Sequence, residues 1–517
     1  MKKLTGILIA AFALMCGISA YAETAQPSSA IVTVDGNPVD FCAYNLYGSN
    51  YFMLRDVAAA LKGTDKEFNI TWNGHITIEV PQYKNFKGYE PIGTEFSQSA
   101  DASSEAEFSV PDVRMYVSEP YEYDAITLVG YNINGSNYFK IRDIARIFDF
   151  SVEYENGTLA IDTTEQYAPE EPYDGAGIIG MAHEAILALF INEMPIVSYY
   201  TAVDAAYNET QLARINENPR LNGVYVDAKN LENYGFDVTV YEDAVWLTRN
   251  KDKKFGILNG ETINSAPTDI SEVYASEMKV YLDGADTRNI LINGEPYIAV
   301  AELLRYGIFS NSYQGINIDF LRYDLASRVE TTDMEDIKLS SGKPYFENVC
   351  HPWGTTIYRG GGLVKYSVQE GANNNLLTKY IGEGEVTDTE IIYNGKGIYE
   401  YSVGMVAGWA GGAVQTYKKY ERGDFVNGEC VDGIKYRSEY IQIPGGKQKS
   451  YRYEGAMVNG YKREFTNDGN SKYRFNYRAE REGTIENGEY VGYYREYDED
   501  GKLIFEGDYN DWIKQNG

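Results

Sequence analysis

The sequence predicts an α+β protein in two parts: tandem small β-β-α-β-β units, followed by an all-β antiparallel domain of hairpin repeats. Three observations carry this. The string YNINGSNYFKIRDIARIF, Tyr131 to Phe148, has a near copy 87 residues earlier, YNLYGSNYFMLRDVAAAL, Tyr44 to Leu61. The same step taken from Tyr138 reaches Tyr225 in VYVDAKNLENYGFDV, and a further 72 residues reach Tyr297 in PYIAVAELLRYGIF, so one unit recurs about four times. From about Lys338 the texture changes to glycine and tyrosine, with Asn-Gly pairs between alternating aromatic runs. Asn-Gly favours the positive backbone angles of two-residue hairpin turns.

Each unit offers a polar turn, a short aromatic strand and an amphipathic helix of about two turns, with Ile144, Ile147 and Phe148 at helical spacing. In the two later copies the helix stops at Gly235 and Gly307, the place of a left-handed cap. An alternating strand follows in FNITW, FSVEY and FDVTVY. In the second part, NGKGIYEY from Asn394 is followed by GDFVNG, GAMVNG, GTIENG and GDYND, whose first glycines, Gly423, Gly455, Gly483 and Gly507, lie 32, 28 and 24 residues apart.

The Tyr-Asn-x-x-Gly-Ser-Asn-Tyr-Phe-x-Ile/Leu-Arg-Asp-Ile/Val-Ala string resembles the copper amine oxidase N-terminal domain-like module, or stalk domain, of secreted Gram-positive proteins. The resemblance is close over Ile31 to Asp162 and loose from Ile178 to about Tyr323. It implies a non-catalytic appendage rather than an oxidase. GKGIYEY and NGEYVGYYREYDEDGKLIFEGDY resemble MORN-type hairpin repeats, which implies scaffolding and binding.

The chain opens MKKLTGILIAAFALMCGISAYA, a basic start, an apolar stretch and small residues before Glu23, read as a secretory signal peptide. Met15 stands where lipidation of Cys16 would need a small residue, so no lipid anchor is expected. The boundaries read are 1–22 signal peptide, 23–80 first unit, 81–107 linker, 108–164 second unit, 165–177 acidic linker, 178–254 and 255–337 divergent third and fourth units, and 338–517 hairpin repeats. Within 81–107 a mobile connection, or an extra strand at Ile92 to Phe96, is expected. MAHEAILALFI, Met181 to Ile191, reads as helical, INEMPI after it as a unit's opening strand and turn, and NKDKK after Asn250 as a charged loop.

With 517 residues and 44% hydrophobic content the chain supports several packed cores. A unit of about 50 residues buries only ~60% of its unfolded surface, which favours packing of units on one another. The net charge is −30 and uneven: His351 to Gly517 carries 21 basic and 25 acidic residues, net −4, so the remainder carries −26. Nucleic acid and anionic lipid are poor partners for such a surface. Cys42, Cys350 and Cys430 survive signal removal, too few for a disulfide scaffold. Cys42 is expected in the core, and pairing of Cys350 with Cys430 is left open.

Candidate chemistry is sparse. The Arg55-Asp56 and Arg142-Asp143 pairs could serve acid/base work or clamp a ligand, but the later copies carry Lys229-Asn230 and Ala301-Glu302, as a helix opening permits. His75, His183 and His351 are too scattered for a copper or zinc centre. DEDG at Asp498 has Gly507 where a calcium loop needs a bidentate carboxylate, so a hairpin turn is the better reading. No catalytic, cofactor-binding or metal residue is assigned, and no cofactor is expected. The 47 tyrosines and 5 tryptophans fill half-buried strand faces or, in part, stack on sugars. The expectation is a secreted or surface-associated, non-enzymatic binding or scaffold protein, not integral to the membrane, with a cell-wall polysaccharide or another surface protein as partner. The alternatives are a polysaccharide binder using exposed Tyr and Trp rows and a divergent glycan hydrolase. With no apolar tail or sorting-type motif near Gly517, non-covalent retention or release is expected.

Overall fold

The computed structural model describes residues 23–97, 100, 102–117, 124–169, 178–184, 188–196, 199–202, 207–253, 270–312, 315–337, 354–370, 376–386, 391–406, 414–442, 449–467, 478–499 and 501–516. Residues 1–22, read above as a signal peptide, most of the stretch 165–177, Cys350 and His351 lie outside them. Among the described residues the protein is mostly β, with 55% strand and 16% helix. It divides into two compact units, Met1–Ala168 and Pro169–Gly517. No described helix is long and apolar enough to cross a membrane.

In the first unit the chain twice runs strand, strand, helix, strand, strand. The first pass is Ala43–Leu46, Ser49–Met53, α1 (Leu54–Ala60), Asn69–Trp72 and Ile76–Glu79; the second is Gly130–Ile133, Ser136–Lys140, α2 (Ile141–Phe148), Ser151–Glu155 and Thr158–Asp162. Tyr47-Gly48 and Asn134-Gly135 take paired positive φ angles, which sets each opening hairpin. The two aromatic strands then meet side by side, with Phe52 opposite Phe139, the same position of the two copies. The two opening hairpins, together with Glu23–Pro27 and Ser104–Ser109, close a six-stranded barrel.

Neither copy stands alone. Thr158–Asp162 pairs in parallel with Ile31–Val34, ahead of the first copy, and Ile76–Glu79 pairs in parallel with Val113–Tyr116, ahead of the second. One core therefore draws on both, including Val57, Leu61, Ile144 and Phe148, and the Phe68 and Phe148 rings stack at 3.8 Å. A single copy has too little apolar surface to seal its own helix. The stretch 81–107 is part of this body: Tyr89 is buried, and the added strand is Ser104–Ser109 rather than Ile92 to Phe96. Glu95 and Phe96 are instead held by polar contacts to Tyr89 and Asp56.

In the second unit another six-stranded barrel follows the same strand order, from Ile178–Glu184, Tyr199–Ala202, Val224–Asp227, Glu295–Ala299, Asn289–Ile292 and Ser271–Ala275. Its seam sets Val226 opposite Ile298. Met181 to Ile191 is strand at Ile178–Glu184 and Ala188–Ile191, not helix: its apolar residues are drawn into the barrel and a flanking sheet, where β pairing overrides their helical propensity. A helix does enter between two barrel strands as α3 (Glu209–Glu217), opened by an Asn208/Gln211 capping box. Short 3-10 turns, Lys229–Tyr234 and Val300–Arg305, replace α1 and α2. Gly235 is left-handed at φ 85°, but Gly307 is not; a Cβ there would come within 2.4 Å of Ile318 Cγ2, so close packing requires that glycine.

After α4 (Phe320–Thr331) a twelve-stranded antiparallel sheet runs in sequence order from Glu335–Asp336 to Leu503–Asp508, followed by α5 (Tyr509–Asn516). Asn427-Gly428 and Asn487-Gly488 form its turns with positive φ at both residues. Asn394-Gly395 does not turn but lies within the strand Ile391–Val406. Its side chain serves the next hairpin, since Asn427 N–H donates to Asn394 Oδ1 at 2.9 Å; Asn459 does the same for Asn487 N–H at 2.8 Å.

The register aligns Gly382, Gly397, Gly423, Gly433 and Gly455 directly across five strands. Tyr380 lies over the first two, and a Cβ on either would come within 2.5 Å of its hydroxyl. One position along, on the opposite face, Glu454, Arg463, Glu482, Arg495 and Glu506 alternate in sign across successive strands. Arg463 Nε meets Glu482 at 3.0 Å and Arg495 Nη2 meets Glu506 at 2.9 Å. Opposite charges directly across a ladder support the register, and mutual pairing offsets the cost of burying Arg463.

Candidate functional site

The Arg-Asp pairs mark helix openings. Asp56 is fully buried and accepts from Phe96 N–H at 3.1 Å, with Arg55 Nε at 3.6 Å; burial pushes its carboxyl above the usual carboxylate range. Asp143 is buried at the opening of α2. Glu302 is buried between Arg214 at 3.1 Å and Arg305 at 2.6 Å. Asn230 accepts from Asn233 Nδ2 at 2.9 Å. These side chains brace short helices against their surroundings.

His75 and His183 fall in different units, and among the described residues no group of three or more His, Cys, Asp or Glu could hold a metal ion. DEDG closes a hairpin, in which Lys502 N–H donates to Asp498 Oδ1 at 2.9 Å. Cys430 is a free, buried thiol, its pKa pushed up to about 12 by desolvation. Cys42 is buried beside the Tyr138 hydroxyl at 3.3 Å. Tyr366, Tyr380 and Tyr494 are buried, so much of the tyrosine row is internal packing.

The arrangement that sequence spacing did not reveal lies where the four-stranded sheet beside the second barrel, built from Ala188–Ile191, Met194–Pro195, Gly315–Asp319 and Ile308–Ser312, meets the long sheet. The chain turns at Asn192 and Glu193, both with positive φ, and this turn enters the sheet face. Arg422 Nη2 donates to Asn192 Oδ1 at 2.8 Å and to Asp319 Oδ1 at 2.7 Å. Asp319 also accepts from Arg322 N–H at 2.8 Å, and Arg452 donates to the Glu193 carbonyl. Burial raises the Asp319 carboxyl and the Arg422 charge lowers it; the charge wins. Glu193, half-buried and accepting from Asn317 Nδ2 at 3.0 Å, is pushed the other way by desolvation. A signal was present: in ERGDF, Arg422 stands on the face that carries Ile398 and Ile434 in neighbouring strands.

Beside this post opens a cleft of about 670 Å³. One wall is the loop Arg249 to Lys253 with α4 and Met194; the other is the sheet, from Glu383 and Lys396 across Asp424, Asp432 and Ala456 to Tyr461. Ion pairs tie the two rims at Arg328–Glu383 (2.6 Å) and Lys396–Asp252 (3.2 Å) and brace the first wall at Lys251–Asp324 (3.0 Å). Asp424 and Asp432 are directly opposite on adjacent strands, beside Lys396.

No family model, curated protein or solved structure matches this chain. The site is therefore read from its own chemistry. Several of its charged groups are paired, Arg328 with Glu383, Lys251 with Asp324 and Lys396 with Asp252, and its main chain is held by sheet hydrogen bonds, a preorganised surface suited to recognition.

Proposed function

We propose that the protein is an exported, non-enzymatic binding or scaffold protein at the outside of a Gram-positive cell. In this reading the barrel modules act as stalk-like supports and the long sheet is a MORN-like array that carries the ligand surface. The observation that carries it is the Arg422–Asp319 junction, which fixes the four-stranded sheet beside the second barrel to the long sheet around one open cleft. The leader in 1–22 supports export. The pairing of the cleft's charged groups supports recognition over turnover, because catalysis calls for a group poised to change protonation or bonding.

The test uses the chain from Glu23 to Gly517. Purified cell wall, its separated polysaccharides and surface-protein extracts are scored for retention and for release of cleaved product. Retention of one fraction without product is expected. Turnover of any fraction overturns the non-enzymatic reading, and failure to retain any overturns the binding reading.

A further inference from the structure

We infer that the cleft takes an uncharged, hydroxyl-rich polymer, a neutral glycan chain laid across the strands; this rests on the binding reading above. Accessibility argues first. Met194, Leu325, Ile434 and Ala456 line the cleft but are buried, which leaves the half-buried Leu321 as the aliphatic side chain a peptide could engage, short of the clustered anchors that dominate peptide affinity. The most exposed charged groups at its rim are Asp252 at 97% side-chain exposure and Lys251 at 65%.

Charge argues second. Six cationic side chains, Arg249, Lys251, Lys253, Arg328, Lys396 and Arg422, face six anionic ones, Asp252, Asp324, Glu383, Asp424, Asp432 and Glu454. In a protein of net charge −30 this cleft is neutral, so it does not steer a polyanion inward. A charged ligand at the Arg328–Glu383, Lys251–Asp324 or Lys396–Asp252 pair would have to break it and strand one partner. A hydroxyl both donates and accepts, and bridges ammonium and carboxylate without displacing either.

Shape argues third. The cleft crosses six strands, from that of Glu383 to that of Tyr461, about 24 Å at the ~4.8 Å interstrand spacing. At its far end Tyr461 and Tyr493 stack at 6.4 Å, and Tyr493 is exposed. Those rings offer a face to the C–H side of a sugar where the polar track ends.

The experiment measures retardation of the chain from Glu23 to Gly517 in native gels containing soluble neutral polysaccharide (a β-glucan, a xylan or a mannan), with polygalacturonate and a mixed tryptic peptide pool as competitors. At least one neutral glycan should retard the protein, with less than twofold change between 50 and 500 mM salt. Tyr461→Ala should weaken binding about tenfold, and so should the near-isosteric Asp432→Asn, with thermal melts verifying folding. Retardation by no neutral glycan, preference for polygalacturonate, or glycan binding untouched by both variants overturns the inference. Peptide binding that both variants abolish would overturn it while leaving the binding role intact. Loss of all ligands would remove both.

Discussion

Arg422 and Asp319 meet at 2.7 Å with both side chains almost sealed from water, though 103 residues separate them. Removing one partner of such a pair strands the other, which typically costs about 3–5 kcal/mol. Arg422→Ala should therefore lower the stability of the second unit by that order in urea titration. Arg422→Met combined with Asp319→Asn should recover a good part of the loss. If Arg422→Ala is neutral, the pair does not hold the junction.

The Asn394 and Asn459 side chains each receive the main-chain N–H of the following turn. Asn459→Ala should cost about 1 kcal/mol, the usual net value of such a bond. Asn459→Asp keeps an acceptor and should cost less. Hydrogen exchange at the Asn487 amide is the direct readout and should accelerate only in the alanine variant.

Two glycines with positive φ should respond differently to alanine. At Gly36 (φ 77°) nothing lies within 4 Å of the added methyl group, and strain alone, about 1 kcal/mol, is expected. At Gly433 (φ 141°) the methyl group would come within 2.0 Å of the Arg422 carbonyl oxygen, so a loss of at least ~2–3 kcal/mol is expected in thermal melts.

How far the sequence could be read turns on which contacts are local. The hairpin-helix unit is legible in YNINGSNYFKIRD because turn, strand and helix sit within twenty residues. Barrel closure is not, since Phe52 meets Phe139 and Glu23–Pro27 meets Ser104–Ser109 across long stretches of chain. The Asn-Gly signal identified the turns at 427 and 487 but misplaced one at 394, where the same dipeptide remains in a sixteen-residue strand. The cleft was hidden because Lys396, Asp424, Asp432 and Tyr461 follow no common spacing; only the strand register brings them to one face.

His183 is buried in the second barrel, and desolvation lowers its pKa to about 4. The unfolded chain, near the ordinary 6.5, takes up a proton first as pH falls. Stability should thus drop as pH falls from about 6.5 to about 4, by roughly 3 kcal/mol at ~1.4 kcal/mol per unit. His183→Gln should flatten this part of the stability profile measured by urea titration at successive pH values.

The Cys430 thiol, held near 12, should resist thiol reagents at pH 8 in the folded protein and react fully in denaturant. Rapid labelling of the native protein at Cys430, located by peptide mapping, would show that this part of the sheet opens readily.

The order of strands in the long sheet also has a mechanical consequence. Each strand from Glu335–Asp336 to Leu503–Asp508 bonds to its sequence neighbours, so a pull applied at the C-terminal end detaches strands in succession, a few hydrogen bonds at a time. The barrels are closed by strands far apart in sequence, and the same load must break several ladders together. Under tension the sheet would lengthen strand by strand while the barrels remain folded.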